Sequence, residues 1–134
     1  MVNWARVRVY DPYEMRRDWD VIRTILLAVE QGDGEKEIPS SAFSGIDESI
    51  IAYHMWLMIE TGLVEGGGRP PGSMGPPVAF IHRLRWSGHE LLDEIRADTA
   101  WNRIKETARA KGIDLTVDSI KAVAKFLIER LLGS

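Results

Sequence analysis

The sequence predicts a mainly α-helical domain with one small β-hairpin, an α+β fold class. Apolar residues recur at helical spacing in four stretches of the chain. Two short apolar runs, residues 63–64 and 78–86, flank a stretch of glycine and proline and predict the hairpin. A helix that is closed by Gly62 and enters a hairpin at once is typical of the third helix of a winged helix-turn-helix. The expected architecture is therefore a winged helix-turn-helix plus two C-terminal helices.

Composition limits the class of protein. A chain of 134 residues is long enough for one core, and 45% hydrophobic with 28% charged residues is an ordinary globular balance. The net charge of −3 is not that of a strongly basic nucleic-acid binder. The absence of cysteine excludes disulfides, thiolate zinc sites and thiol catalysis. Because no apolar stretch reaches 18 residues, we expect a cytoplasmic protein without a membrane partner.

The first helix follows an N-terminal arm, residues 1–14, in which positions 7–10 alternate like a strand. Two helix starts are open. Asp11 followed by proline matches a cap, and Asp18 offers a later one. The apolar face is Met15, Trp19, Ile22, Ile25, Leu26 and Val29, and glycines at 32 and 34 end the helix.

The middle of the chain predicts the rest of a winged-helix core over residues 15–86. Glu37-Ile38-Pro39 is extended because the residue before a proline avoids the helical region, and residues 40–45 form a short helix or turn. Asp47 caps the central helix. The residues of its predicted apolar face recur at helical spacing: Ile50, Ile51, Tyr53, His54, Leu57, Met58 and Thr61. Residues 66–77 consist almost wholly of glycine and proline and predict a flexible wing loop.

Residues 87–134 predict a pair of C-terminal helices within the same domain. Ser87-Gly88-His89-Glu90 matches a capping box, and the helix it opens is expected to run to Gly112. Asp114 or Thr116 caps the last helix. One face of that helix is apolar: Val117, Ile120, Val123, Ala124, Leu127, Ile128 and Leu131. This face either forms a homodimer interface or folds back on the first helix, and we favour the homodimer via the C-terminal helices.

Several segments resemble a small bacterial and prophage family of unassigned function. They are residues 16–23, 53–57, 60–64 and 84–93, and the most specific are Tyr53-His54 and Trp86-Ser87-Gly88-His89-Glu90-Leu91-Leu92-Asp93. The resemblance covers about residues 15–132. It implies a winged-helix-like fold, and it implies no activity, cofactor or site.

No constellation for catalysis stands out. His89 and Asp93 lie four apart on one helix face, but no third ligand is near in sequence and His89 belongs to the capping box. Gly66–Gly68 lacks the Gly-Lys-Ser/Thr of a phosphate loop, and the prolines that follow it, at positions 70, 71, 76 and 77, remove N–H donors. We expect no enzyme, no cofactor and no metal site.

The charge around the central helix argues against DNA as its target. Residues 37–68 contain no Lys or Arg but five acids, a charge of −5, where phosphates would approach: Glu37, Asp47, Glu48, Glu60 and Glu65. We therefore predict a regulatory module that binds an unknown protein partner through Tyr53, His54, Asp47 and Glu48. The structural alternative is that Tyr53 packs and His54 is hydrogen-bonded at the core edge. The functional alternative is a DNA-binding regulator that uses Arg69, Arg83 and Arg85 of the wing.

Overall fold

The computed structural model describes residues 16–133, and they form a mostly helical α+β fold, as predicted. The helices are α1 (Trp19–Gln31), α2 (Glu48–Glu60), α3 (Trp86–Ile95), α4 (Asp98–Lys111) and α5 (Val117–Gly133). The strands are β1 (Ile38–Pro39), β2 (Val64–Arg69) and β3 (Val78–Leu84), and a single 3₁₀ turn (Ser40–Ala42) follows β1. None of these helices is both long and apolar enough to cross a membrane within the described residues.

Helix α1 begins at the later of the two predicted caps. Asp18 Oδ1 accepts hydrogen bonds from Asp20 N at 2.9 Å and Val21 N at 3.4 Å, which satisfies N–H groups that have no partner inside the helix. The earlier start at Asp11, the predicted N-terminal arm and Met15 of the predicted apolar face lie outside the described residues. The apolar face is buried as the spacing predicts: Trp19, Ile22, Ile25, Leu26 and Val29, with Val21 beside them.

Helix α2 begins at Asp47, whose Oδ1 accepts from Ser49 N at 2.8 Å. It is followed by Gly62 with φ 76°, a left-handed conformation that glycine adopts without strain. The buried face is centred on Ile51, Met55 and Met58. It is rotated from the face that the sequence spacing indicates, so that several of the predicted core positions, Ile50, Tyr53 and Leu57, are only half-buried.

The three strands form one antiparallel sheet in the order β1-β3-β2. Ile38 pairs with Ile81 and Pro39 with Phe80, which confirms the extended segment before the 3₁₀ turn. Between β2 and β3 the register shifts at Glu65/Gly66, because β3 carries one extra residue there. One sheet face is buried through Val64, Ala79, Ile81 and Leu84.

The glycines of the predicted wing loop belong partly to the sheet. Strand β2 extends to Arg69, so Gly66–Gly68 pair with β3 and the loop is confined to residues 70–77. A Cβ on Gly66 would overlap the Phe80 carbonyl oxygen, so glycine here serves a close approach of two strands. Arg69 holds the far side of the loop through Nε and Nη2, which donate to the Pro76 carbonyl at 3.2 and 2.8 Å.

The chain divides into two compact units, of which the first ends at Gly88 and the second begins at His89. The predicted helix over 87–112 is two helices, α3 and α4, separated at Arg96–Ala97. Ser87 is not its cap, since α3 already begins at Trp86. Ser87 Oγ donates instead to the Gly62 carbonyl at 2.8 Å.

Within the second unit, α4 and α5 pack together through two apolar faces: Trp101, Ile104 and Ala108 on α4, and Ile120, Val123 and Ala124 on α5. Thr116 caps α5, because its Oγ1 accepts from Ser119 N at 3.0 Å. The apolar stripe of α5 is buried only in its first half. Beyond it Leu127 is half-buried, and Ile128 and Leu131 are exposed.

Candidate functional site

The predicted partner-binding residues all lie on α2 or at its start, but the structure separates them. Asp47 is half-buried and serves as the helix cap. Glu48 follows it and is exposed, and Tyr53 is half-buried. His54 belongs to the core. Of the predicted set, Glu48 and Tyr53 are therefore the side chains with surface to offer a partner.

His54 is a structural residue, contrary to its predicted role in partner contact. It is 2% exposed. Its Nε2 accepts a hydrogen bond from Asp18 N at 2.8 Å, and its Nδ1 lies 2.8 Å from the Ile50 carbonyl oxygen. The first bond requires an unprotonated Nε2, so the proton lies on Nδ1 and is donated to Ile50. His54 thus ties α2 to the start of α1.

The side of α2 turned away from its buried face carries an apolar row. Ile50, Tyr53 and Leu57 are spaced three and four residues apart, so they lie on one helix face, and all are half-buried. The Tyr53 ring meets the His54 ring edge to face, with centroids 5.7 Å apart. Glu60 is exposed on the same side of the helix near its C-terminal end, whereas Glu48, also exposed, lies on the opposite side of α2. We define Ile50, Tyr53 and Leu57 with Glu60 as the α2 surface.

Ile50 and Leu57 are members of this surface that the sequence prediction assigned to the core. Their signal was present in the composition of the helix, which is apolar on nearly all sides. A helix that is apolar all round is expected to be buried on all sides. This row is only half-buried, so part of its apolar surface is exposed.

The predicted wing arginines lie on the hairpin and directly after it. Arg83 contacts Glu65 on the neighbouring strand, with Nη2 at 3.1 Å and Nε at 3.2 Å from Oε2. Arg69 donates to the loop carbonyl of Pro76. Arg85 is exposed and follows β3. Two of the three guanidinium groups therefore have partners within the hairpin, and the charge of Arg83 is matched by a carboxylate.

The remaining candidate residues do not form a catalytic, metal or ligand site among the described residues. Asp93, the predicted companion of His89, pairs with Arg96 at 3.0 Å. Among residues 16–133, no group of three or more His, Asp or Glu side chains could hold a metal ion. An open depression on α5 is lined by Phe126, Glu129, Arg130 and Gly133, all from one helix, and it lacks the convergent polar groups of a ligand site.

A lowered carboxyl pKa occurs away from the α2 surface. Hydrogen bonds from the backbone N–H groups of Glu35 and Lys36 to Asp33 stabilise the ionised form and lower the pKa of Asp33. Asp33 is fully exposed in the turn after α1. Its hydrogen bonds close that turn.

Comparison with known proteins places the chain in a family. Residues 16–114 match the family described as "Hypothetical protein (DUF2513)". An "Uncharacterized protein" of Haemophilus influenzae is 40% identical over 120 residues, which are 89% of this chain and 100% of that protein. No solved structure matches the chain significantly. The predicted likeness to a family of unassigned function is confirmed, and the chain belongs to the DUF2513 family.

Proposed function

We propose that this protein is a non-catalytic regulatory module of winged-helix architecture that binds a protein partner through the α2 surface. The order of elements supports the architecture. Helix α1, strand β1, a short turn, helix α2 and the β2–β3 hairpin follow one another, and β1 adds to the hairpin as a third antiparallel strand. In this scheme the 3₁₀ turn Ser40–Ala42 takes the place of the second helix. Helix α2 then has the position of the recognition helix.

The choice of a protein over DNA as the target rests on the negative charge around α2. Residues 37–68, which contain α2, have five acids and no basic residue. Binding to DNA draws most of its affinity from Lys and Arg that neutralise phosphates, and this helix offers repulsion instead. A protein surface with apolar groups and basic side chains complements an apolar row with an acid, Glu60, near one end. We therefore favour a protein partner of that character.

A prophage-type DNA-binding regulator is the second candidate. It is favoured by the placement of Arg69, Arg83 and Arg85, which are all exposed along one hairpin and its exit. It is opposed by the contact between Arg83 and Glu65, which matches one of the charges within the hairpin. This candidate makes a different prediction for salt dependence, which allows a direct test.

A photoreactive phenylalanine analogue in place of Tyr53 is expected to form one discrete covalent complex with another protein in living cells. The reason is that position 53 lies in the middle of the apolar row, where a partner would cover it. Purified partner, once identified from the complex, should bind the Tyr53→Ala protein at least about 10-fold more weakly than the wild type. The control carries the same analogue at Arg103, an exposed position of α4. Equal capture from both positions would contradict the proposal.

Mobility shift of a random DNA duplex at about 50 mM and about 200 mM salt tests the second candidate. We expect no retention at either concentration. Retention at low salt that falls steeply with added salt, and that is lost on Arg83→Ala with Arg85→Ala, would replace the protein-binding proposal by the DNA-binding one. The matched control for these two substitutions is Arg103→Ala, which removes an exposed positive charge from α4.

A further inference from the structure

Strand β2 has an edge that does not pair with β3, here called its outer edge, and the proposed function assigns no role to it. Strand β3 lies in the middle of the sheet, and β2 pairs with it along one edge. Within residues 16–133 no strand pairs with the other edge of β2. Such an edge presents N–H and C=O groups that favour the addition of another strand. Residues 65–69 of β2 are half-exposed or exposed and contain no proline. Charged side chains commonly block such additions, but the two charges of this segment, on Glu65 and Arg69, have opposite signs.

The register of the sheet fixes which side chains of β2 point outward. Gly66 and Gly68 pair with Ile81 and Ala79, which are buried and face the core. The alternate positions are the outer ones: Glu65, Gly67 and Arg69, which pair with Arg83, Phe80 and Val78. Because side chains alternate along a strand, Glu65 and Arg69 lie on the same outer face, two residues to either side of Gly67.

The outer edge of β2 is complementary in charge to the same edge of a second copy. When two copies of β2 pair antiparallel about a twofold axis at Gly67, residue 65 of each copy stands opposite residue 69 of the other. Each Glu65 then faces an Arg69, and the pairing occurs twice because the axis makes both halves equivalent. Opposite charges directly across an antiparallel pair stabilise it, whereas like charges destabilise it. The three central residues are glycines, so no side chain obstructs the approach of the two strands.

We propose that the outer edge of β2 binds β2 of a second copy of this chain, which joins two three-stranded sheets into one of six strands. In the pair, Glu65 lies between Arg83 of its own chain and Arg69 of the second copy. Arg69 uses Nε and Nη2 toward Pro76, and a guanidinium has five N–H groups, so it retains donors for the carboxylate.

The dimer is expected to be weak. One strand pair of six residues buries much less than the roughly 1,600 Å² of a standard interface, so few contacts offset the entropic cost of association. Sedimentation equilibrium of the full chain from about 5 µM to about 1 mM should therefore show a monomer that becomes a dimer. A chain that stays monomeric throughout this range overturns the proposal.

Two charge reversals identify the interface. Glu65→Arg and Arg69→Glu each place like charges opposite one another twice in the dimer, so each should weaken self-association by about 10-fold or more. A mixture of the two variants restores the opposite charges at both ends of the pair. The mixture should therefore form a heterodimer about as readily as the wild type forms its homodimer. Rescue of this kind is not expected from two variants that are merely destabilised.

The matched control is Arg103→Glu, which makes the same charge change at an exposed position of α4 and should leave self-association unchanged. Circular dichroism and thermal unfolding establish that each variant is folded. Because Glu65 also contacts Arg83, the milder Glu65→Gln with Arg69→Gln gives a second measurement and should also weaken the dimer. The proposal is overturned if none of these changes alters self-association, or if the mixture does not restore it. The exposed end of α5 would then be the alternative interface.

Discussion

Replacing His54 with alanine is expected to lower the free energy of unfolding by about 3 kcal/mol. Two losses combine at this position. The side chain is 2% exposed, so its removal leaves a cavity in the first compact unit. The substitution also deprives Asp18 N of its acceptor at 2.8 Å, at the residue where α1 begins. A buried or half-buried N–H without a partner costs more than the bond itself contributes, because the folded state cannot return it to water.

Urea unfolding followed by tryptophan fluorescence measures this effect, since Trp19 and Trp101 are both buried. The midpoint should fall while the slope stays the same, which marks a change of stability and not of compactness. The control is Tyr53→Ala on the same helix, for which we expect about 1 kcal/mol because the ring is only half-buried. A His54 variant as stable as the Tyr53 variant would show that the two hydrogen bonds contribute little.

The starts of α1, α2 and α5 could be predicted from single residues. Asp18, Asp47 and Thr116 each accept hydrogen bonds from N–H groups of the following turn, and each was a candidate cap in the sequence. This works because a cap acts within three residues of itself and needs no distant partner. Ser87 shows the limit of such an argument. It matches a capping box, yet its hydroxyl donates to Gly62, which is 25 residues earlier in the chain.

The break between α3 and α4 was not predicted, although the sequence contained its signal. No glycine or proline interrupts residues 95–98, so local preferences favour a continuous helix. However, the buried residues before the break and those after it would lie on different sides of one continuous helix. Leu91, Leu92 and Ile95 lie on one side, whereas Trp101, Ile104 and Ala108 would lie about 150° away on the same straight helix. One helix cannot bury both sets against one core, so the chain turns between them.

The sequence prediction placed the candidate site on α2 but did not divide its residues correctly into core and surface. Tyr53 and His54 are adjacent, and a rotation of 100° on the helix decides which of them faces the core. On a helix that is apolar nearly all round, the spacing alone does not fix that rotation. What fixes it is the contact of His54 with Asp18, over a separation of 36 residues. Contacts of this kind depend on how α1 and α2 pack, which no local pattern reports.

The sequence also left open whether the three glycines of the hairpin belong to a loop or to a strand. A row of glycines followed by prolines indicated a flexible loop, since both residue types are common in loops. The structure places Gly66–Gly68 in a strand instead, where each glycine has its own surroundings. A Cβ on Gly66 would meet backbone atoms of β3, whereas a Cβ on Gly67 would meet the end of the Phe80 ring, with Cζ at 3.2 Å. The two neighbours should therefore respond differently to the same substitution.

Gly66→Ala is expected to lower the free energy of unfolding by about 3 kcal/mol, whereas Gly67→Ala should cost about 1 kcal/mol or less. At Gly66 the new methyl group overlaps the Phe80 carbonyl oxygen, and relief requires that β2 separate from the central strand. At Gly67 the half-exposed Phe80 ring can turn aside by a few tenths of an ångström. Urea unfolding of the two variants measures the difference under identical conditions. Equal stability of the two proteins would mean that these glycines do not hold β2 against β3 and that residues 66–68 behave as the loop that the composition indicated.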